Sequence, residues 1–128
     1  MKNNFAGTRR SGVAQLEKGT WGGQHIGLEV TDSGATIEFD CAHGAIHQRV
    51  ETDSTGALDL PGTYVRESPG PVREGAKENV HPARYAGRVE GKAMTITITL
   101  IDTGENVGTF RLTQGALPRV AKCGEGAE

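Results

Sequence analysis

The side chains with the widest chemical range in this chain are four histidines, His25, His43, His47 and His81. Neither Cys-x-x-Cys nor His-x-x-x-His occurs, so spacing alone defines no zinc site. Strand register brings more together than spacing does. If the segments around Leu28 and Ile37 form a hairpin across Asp32-Ser33, then Leu28 faces Ile37, Ile26 faces Phe39 and His25 faces Asp40. If the next hairpin turns at His43-Gly44, Cys41 faces Ile46, Ile37 faces Val50, Glu38 faces Arg49 and Asp40 faces His47. Both registers keep the apolar faces together. A one-residue slip would send a whole apolar set into water, at about 1.5 to 3 kcal/mol for each large side chain. The result is one row, His25, Asp40 and His47, on three adjacent strands, with opposed side chains about 4.5 to 5.5 Å apart. Two imidazoles flanking a carboxylate are ligands for a divalent cation such as zinc, with a fourth position left to water. His beside Asp is equally the arrangement that orients an acid/base catalyst. The third alternative is a hydrogen-bonded surface row that holds register, as Glu38 with Arg49 would.

Other chemistry is excluded by what the chain lacks. No Gly-x-Ser-x-Gly elbow is present, and Ser11, Ser33, Ser54 and Ser68 all fall in tails or turns, which argues against a serine hydrolase. No glycine-rich phosphate loop occurs, because the 19 glycines are scattered at turns. With 14 Lys plus Arg against 16 Asp plus Glu, the net charge of −2 offers no field for a polyanion, so nucleic acid is not an expected partner. The longest apolar stretch, Ala93 to Ile101, is interrupted by Thr at every second place and is far shorter than the roughly 20 residues of a spanning helix, so no membrane span is expected.

The elements that must position these residues are strands. Ile26, Leu28 and Val30 alternate with polar partners, as do Ala35, Ile37, Phe39 and Cys41 after the Asp32-Ser33-Gly34 turn. A third strand is expected from Ala45 to Thr52 with Ile46 and Val50 inward. A fourth carries Leu58 and Leu60, after a turn in which Gly56 takes the left-handed position. The pattern stops from Glu67 to Pro82, where a long loop is expected. It resumes at Tyr85, Gly87 and Val89, continues in Met94, Ile96, Ile98 and Leu100, and again in Gly108, Phe110 and Leu112, with a short eighth strand from Arg119 to Lys122. The predicted fold is all-β, an antiparallel up-and-down meander of about eight strands, closed into a small barrel because closure removes exposed edges. An open sandwich is the alternative.

A chain of 128 residues supports one core. The expected organisation is a flexible lead-in over 1–18, one barrel domain over 19–123 and a tail over 124–128. Cys41 and Cys123 permit one disulfide, closing a loop of roughly 80 residues and restricting the unfolded chain by about 4 kcal/mol. The alternative is two buried reduced thiols. A bridge implies an oxidising compartment, yet Met1 to Lys18 contains no signal-peptide apolar core. A periplasmic or secreted location follows if a leader has been removed, and a cytoplasmic one otherwise.

Gly19-Thr20-Trp21 at the head of the first strand resembles the Gly-x-Trp start of the calycins, the lipocalin, avidin and fatty-acid-binding group. That resemblance implies a calycin-like barrel with Trp21 at its closed end and a basic residue, Arg119 or Lys122, lying over the indole. Trp21 shares parity with the outward His25 and Glu29, which a bulge at Gly22-Gly23 would correct. The stretches Trp21 to Leu28 and Asp40 to Gly44 also resemble an uncharacterised family of small bacterial proteins, a resemblance that implies no activity.

The function expected is therefore non-enzymatic, a barrel that binds a small apolar or amphipathic molecule or a protein partner. Ile26, Leu28, Phe39, Leu58, Tyr85, Met94, Ile96, Ile98 and Phe110 would supply the wall and Gln48 and Tyr85 the orienting hydrogen bonds, with no cofactor required; the alternative for the same residues is a packed core. The rival is a metal-dependent or acid/base enzyme using His25, Asp40 and His47, with zinc as its cofactor. A third class is an inhibitor or adhesion-type protein acting through the loop from Arg66 to Arg84, whose Val80-His81-Pro82 segment would fold inward across the barrel mouth; the alternative is a solvated loop.

Overall fold

Period-two alternation becomes ten strands in the computed structural model, which describes residues 14–67 and 79–121. They are β1 (Ala14–Gln15), β2 (Gly19–Gly23), β3 (Ile26–Val30), β4 (Ala35–Phe39), β5 (Ala42–Ile46), β6 (Glu51–Thr52), β7 (Ala57–Arg66), β8 (Asn79–Glu90), β9 (Ala93–Leu100) and β10 (Asn106–Gln114). Eight of them pair antiparallel in a closed ring of order β10-β2-β3-β4-β5-β7-β8-β9. The fold is an all-β up-and-down barrel, with no helix among the described residues. In β9 the alternation is complete: Met94, Ile96, Ile98 and Leu100 are buried and the threonines between them half-exposed. These side chains join those of the other strands in one continuous core.

The barrel has two unlike ends. At the lower end the chain folds underneath: β1 pairs with β6, and the Leu16 N–H donates to the Val50 carbonyl at 2.8 Å. Leu16, Val50 and Trp21 are all buried there. The Trp21 Nε1–H donates to the Glu17 carbonyl at 3.4 Å, and the Gln114 amide donates to the Glu17 carboxylate. Residues 14–17 of the expected flexible lead-in are thus a structured plug, because Leu16 has apolar surface to bury and the open barrel end offers the place. At the upper end lie the turns Gln24-His25 and Asp40-Cys41, the end of β7, the start of β8 and the β9–β10 turn.

The first predicted register holds: Ile26 pairs with Phe39 and Leu28 with Ile37. The second does not. β4 and β5 turn at Asp40-Cys41, so Phe39 pairs with Ala42, Ile37 with Gly44 and Glu38 with His43. Ile37 thus faces a residue six positions before Val50, and six is even, so every apolar side chain keeps its face and hydrophobic patterning cannot separate the two pairings. What separates them is Gly44. Placed mid-strand and facing inward, it leaves room for the Tyr85 hydroxyl and the Thr63 carbonyl, both of which a Cβ there would strike. It is a packing glycine, and the turn falls instead on Cys41, at φ 56°.

Trp21 is turned inward by a hairpin at Gln24-His25, which pairs Trp21 with Leu28, and not by a bulge at Gly22-Gly23. The expected eighth strand at Arg119 to Lys122 is, as far as described, a strap with a single bridge between Gln24 and Arg119. The strap leaves β10, covers Gly22 and Gly27 on the outer face of β2 and β3, and exchanges hydrogen bonds between Arg119 and the backbone of Gly23 and His25. The strap therefore places Arg119 outside the barrel, away from the buried indole of Trp21, and Lys122 lies outside the described residues. The long loop is shorter than expected at its second edge, since β8 begins at Asn79 and Val80-His81-Pro82 belongs to that strand. Residues 68–78 lie outside the described residues.

Candidate ligand-binding mouth

Three aromatic rings meet just inside the upper end. Phe39 closes β4 on the same inward face as Ile37, Tyr64 follows Leu58 and Leu60 on the inward face of β7, and Phe110 precedes Leu112 on β10. The Phe39 ring lies 5.1 Å from that of Tyr64 and 5.6 Å from that of Phe110, tilted by 58° and 57°. Such tilted pairs set the positive ring edge against the negative ring face. Phe39 and Tyr64 are buried, whereas Phe110 is half-buried.

Above the rings runs a rim of polar side-chain pairs. His25 Nδ1 lies 2.5 Å from Asp40 Oδ2, His43 Nδ1 lies 2.8 Å from Glu67 Oε2, and His81 Nδ1 lies 2.9 Å from Asp102 Oδ2. The Arg66 Nη2 donates to Glu105 Oε2 at 2.7 Å, which ties the end of β7 to the β9–β10 turn. The same guanidinium sits 5.5 Å above the Tyr64 ring, in cation–π contact. Burial raises the Tyr64 pKa, a shift partly offset by the Arg66 charge. The Glu105 carboxylate in turn raises that of Arg66. The rings pack on one another through Phe39, and Arg66 with its partner Glu105 lies over the Tyr64 side of the cluster.

The expected metal row does not assemble. His25 and Asp40 are brought together as the first hairpin requires, but His47 stands exposed beyond the far end of β5, beside a shallow depression of about 330 Å³ shared with Thr31, Ser33 and Thr36. The shifted β4–β5 register is the cause. Among the described residues no three His, Cys, Asp or Glu side chains are placed to share a cation. Asp40 is committed elsewhere as well, since its Oδ1 accepts the Ala121 N–H at 2.8 Å.

Of the expected ligand contacts, Phe39 and Phe110 lie at the mouth. Tyr85 is fully buried in mid-barrel, and its hydroxyl donates to the Thr63 carbonyl at 2.6 Å, so it is not free to orient a ligand. Burial drives its pKa well above the ordinary tyrosine range. Met94 and Ile96 are core residues at 1% and 4% exposure, and Gln48 is exposed at the lower end, remote from Tyr85. The sequence does not single out Tyr64, Asp102 or Glu105, and its pattern puts Arg66 and His81 in or beside a loop and not on strands. The signal for His81 was present, because counting back in twos from the inward Tyr85 reaches Ala83 and then His81. Tyr64 was hidden by Pro61-Gly62, which interrupt the alternation of β7.

No family model, curated protein or solved structure matches the chain. The class that fold and site define is a small closed antiparallel β-barrel, plugged at one end and lined by aromatic rings at the other.

Proposed function

We propose that this chain is a non-enzymatic binding module of calycin-like design, whose upper mouth takes a small amphipathic molecule with a flat apolar body. The observation that carries this reading is the contrast between the two ends: Leu16, Trp21 and Val50 fill the lower one, while at the upper one the half-buried Phe110 leans on Phe39, which packs in turn on Tyr64 beneath the Arg66–Glu105 pair. Apolar contacts with the rings provide affinity, and the charged rim favours ligands that carry a polar group at the outer edge.

The reading includes a Cys41–Cys123 disulfide and, with it, a periplasmic or secreted location. Cys123 lies outside the described residues. The support is that the Asp40 carboxylate holds the Ala121 N–H, which brings the chain two residues before Cys123 beside the residue that precedes Cys41. Two extended residues span about 7 Å, the right order for a bridge whose Cα atoms lie about 5.5 to 6 Å apart.

Titration with 1-anilinonaphthalene-8-sulfonate, followed by fluorescence and by backbone amide shifts, tests the reading. Saturable binding at one site is expected, with shifts centred on Phe39, Tyr64 and Phe110 and affinity falling about tenfold in Phe110→Ala, about 1.4 kcal/mol. Shifts confined to other surfaces, or affinity unchanged in that variant, would overturn it.

A further inference from the structure

On the same inner face as Tyr85 and Ala83, one step nearer the mouth, stands His81, paired in register with Tyr64. Its Nδ1 is held by Asp102 in the β9–β10 turn. Its Nε2, at the other side of the ring, is buried and has no hydrogen-bond partner. A carboxylate that accepts from Nδ1–H fixes the neutral ring in the tautomer whose Nε2 is a bare acceptor. A buried acceptor without a donor is uncommon, and leaving one unmet is costly.

We infer that His81 is the polar anchor of the mouth, and that the ligand carries a hydroxyl or N–H donor on the edge of its flat apolar body, directed at Nε2. This deepens the reading given above and rests on it. Two observations favour a ligand donor at this atom over a resident water. The inner-face neighbours of His81 on its own strand and across the pair are Ala83 and Tyr64, both buried, and neither gives Nε2 a hydrogen bond, so the acceptor stands beside a methyl group and an aromatic ring. A buried water is held by two to four polar groups, whereas a single hydroxyl on an apolar frame is matched by one acceptor and the rings around it. Asp102 acts as a positioning residue: it holds the ring so that the lone pair of Nε2 faces away from the turn. The Arg66–Glu105 pair meets the outer edge of the same ligand, so the mouth reads a donor turned to the β8 wall at His81, an apolar body against the rings and a polar group outside.

The test uses two neutral probes with one apolar frame, 2-naphthol, which donates a hydrogen bond, and 2-methoxynaphthalene, which cannot. Affinities come from amide shift titration of the full chain, and the His81 ring nitrogens are followed by ¹⁵N resonance. We expect 2-naphthol to bind about five- to tenfold more tightly, the size of one net hydrogen bond, with the Nε2 resonance moving for that probe alone. In His81→Phe the two probes should bind alike. If both bind at the mouth of the wild-type protein with equal affinity, the anchor is wrong and the mouth reading stands. If neither binds, the mouth reading fails and the anchor with it. Should His81→Phe not fold, the nitrogen resonance of the wild-type protein decides: a shift common to both probes, or to neither, overturns the inference.

Discussion

Asp40 Oδ2 lies 2.5 Å from His25 Nδ1 while Oδ1 of the same carboxylate accepts the Ala121 N–H, so one side chain joins the β2–β3 turn, the β4–β5 turn and the C-terminal strap. The side chains are 58% and 36% exposed for His25 and Asp40, and exposed pairs contribute little to stability. Asp40→Ala, which removes the acceptor of the Ala121 N–H, should therefore cost less than about 1 kcal/mol in denaturant unfolding. Amide exchange at Ala121 should nevertheless accelerate by at least an order of magnitude. Unchanged exchange would mean that the strap is held without Asp40.

The strap depends on a bare surface beneath it. A Cβ on Gly27 would come within 2.5 Å of Pro118 Cβ. Gly27→Ala should lift the strap, lose amide protection at His25 and Arg119, and cost about 1 to 2 kcal/mol, within the range for overpacked contacts.

Gly44 and Tyr85 form a matched pair inside the barrel. Gly44→Ala should cost about 1 to 3 kcal/mol, and Tyr85→Phe, which removes the hydrogen bond to Thr63, about 1 kcal/mol. Because the added methyl strikes the hydroxyl, Gly44→Ala should cost less when combined with Tyr85→Phe than alone. Strict additivity in this double-mutant cycle would show that the Thr63 carbonyl, and not the hydroxyl, is the obstacle.

The Cys41–Cys123 bridge predicts no titratable thiol in denatured, unreduced protein. Reduction should then lower stability by about 4 kcal/mol through the larger freedom of the unfolded chain. Two thiols per chain would remove both the bridge and the argument for an oxidising compartment.

Acid sensitivity should be traceable to turn and strand carboxylates. The pKa of Asp53 is lowered by the Thr55 side chain and by the backbone N–H groups of Ala57 and Thr55, and that of Asp59 by its hydrogen bond with Arg84. A carboxyl group with a depressed folded pKa contributes stability that is complete above its unfolded value, 3.8 here, and is lost as pH falls through the folded value. Tm differences between wild type and Asp53→Asn, clear at neutral pH, should therefore shrink as the pH drops below that value. A difference that persists at about pH 2 would assign the effect to something other than the carboxylate charge.

The sequence by itself determined the all-β barrel class, the inward apolar residues of β3, β4 and β9, and the pairing of β3 with β4. Each follows from period-two alternation, in which an error of one residue exposes an entire apolar face. The His25–Asp40 pair was legible for the same reason, since it lies one step beyond the Ile26–Phe39 pairing. Tertiary structure alone decided the β4–β5 register, because pairings that differ by an even number of residues leave every apolar side chain facing the same way. The choice rested on Gly44, whose missing side chain is needed by Tyr85, a residue 41 positions later. It also decided the mouth. Phe39, Tyr64 and Phe110 come from three strands that do not pair with one another, and only closure of the ring carries their side chains to a common point above the core.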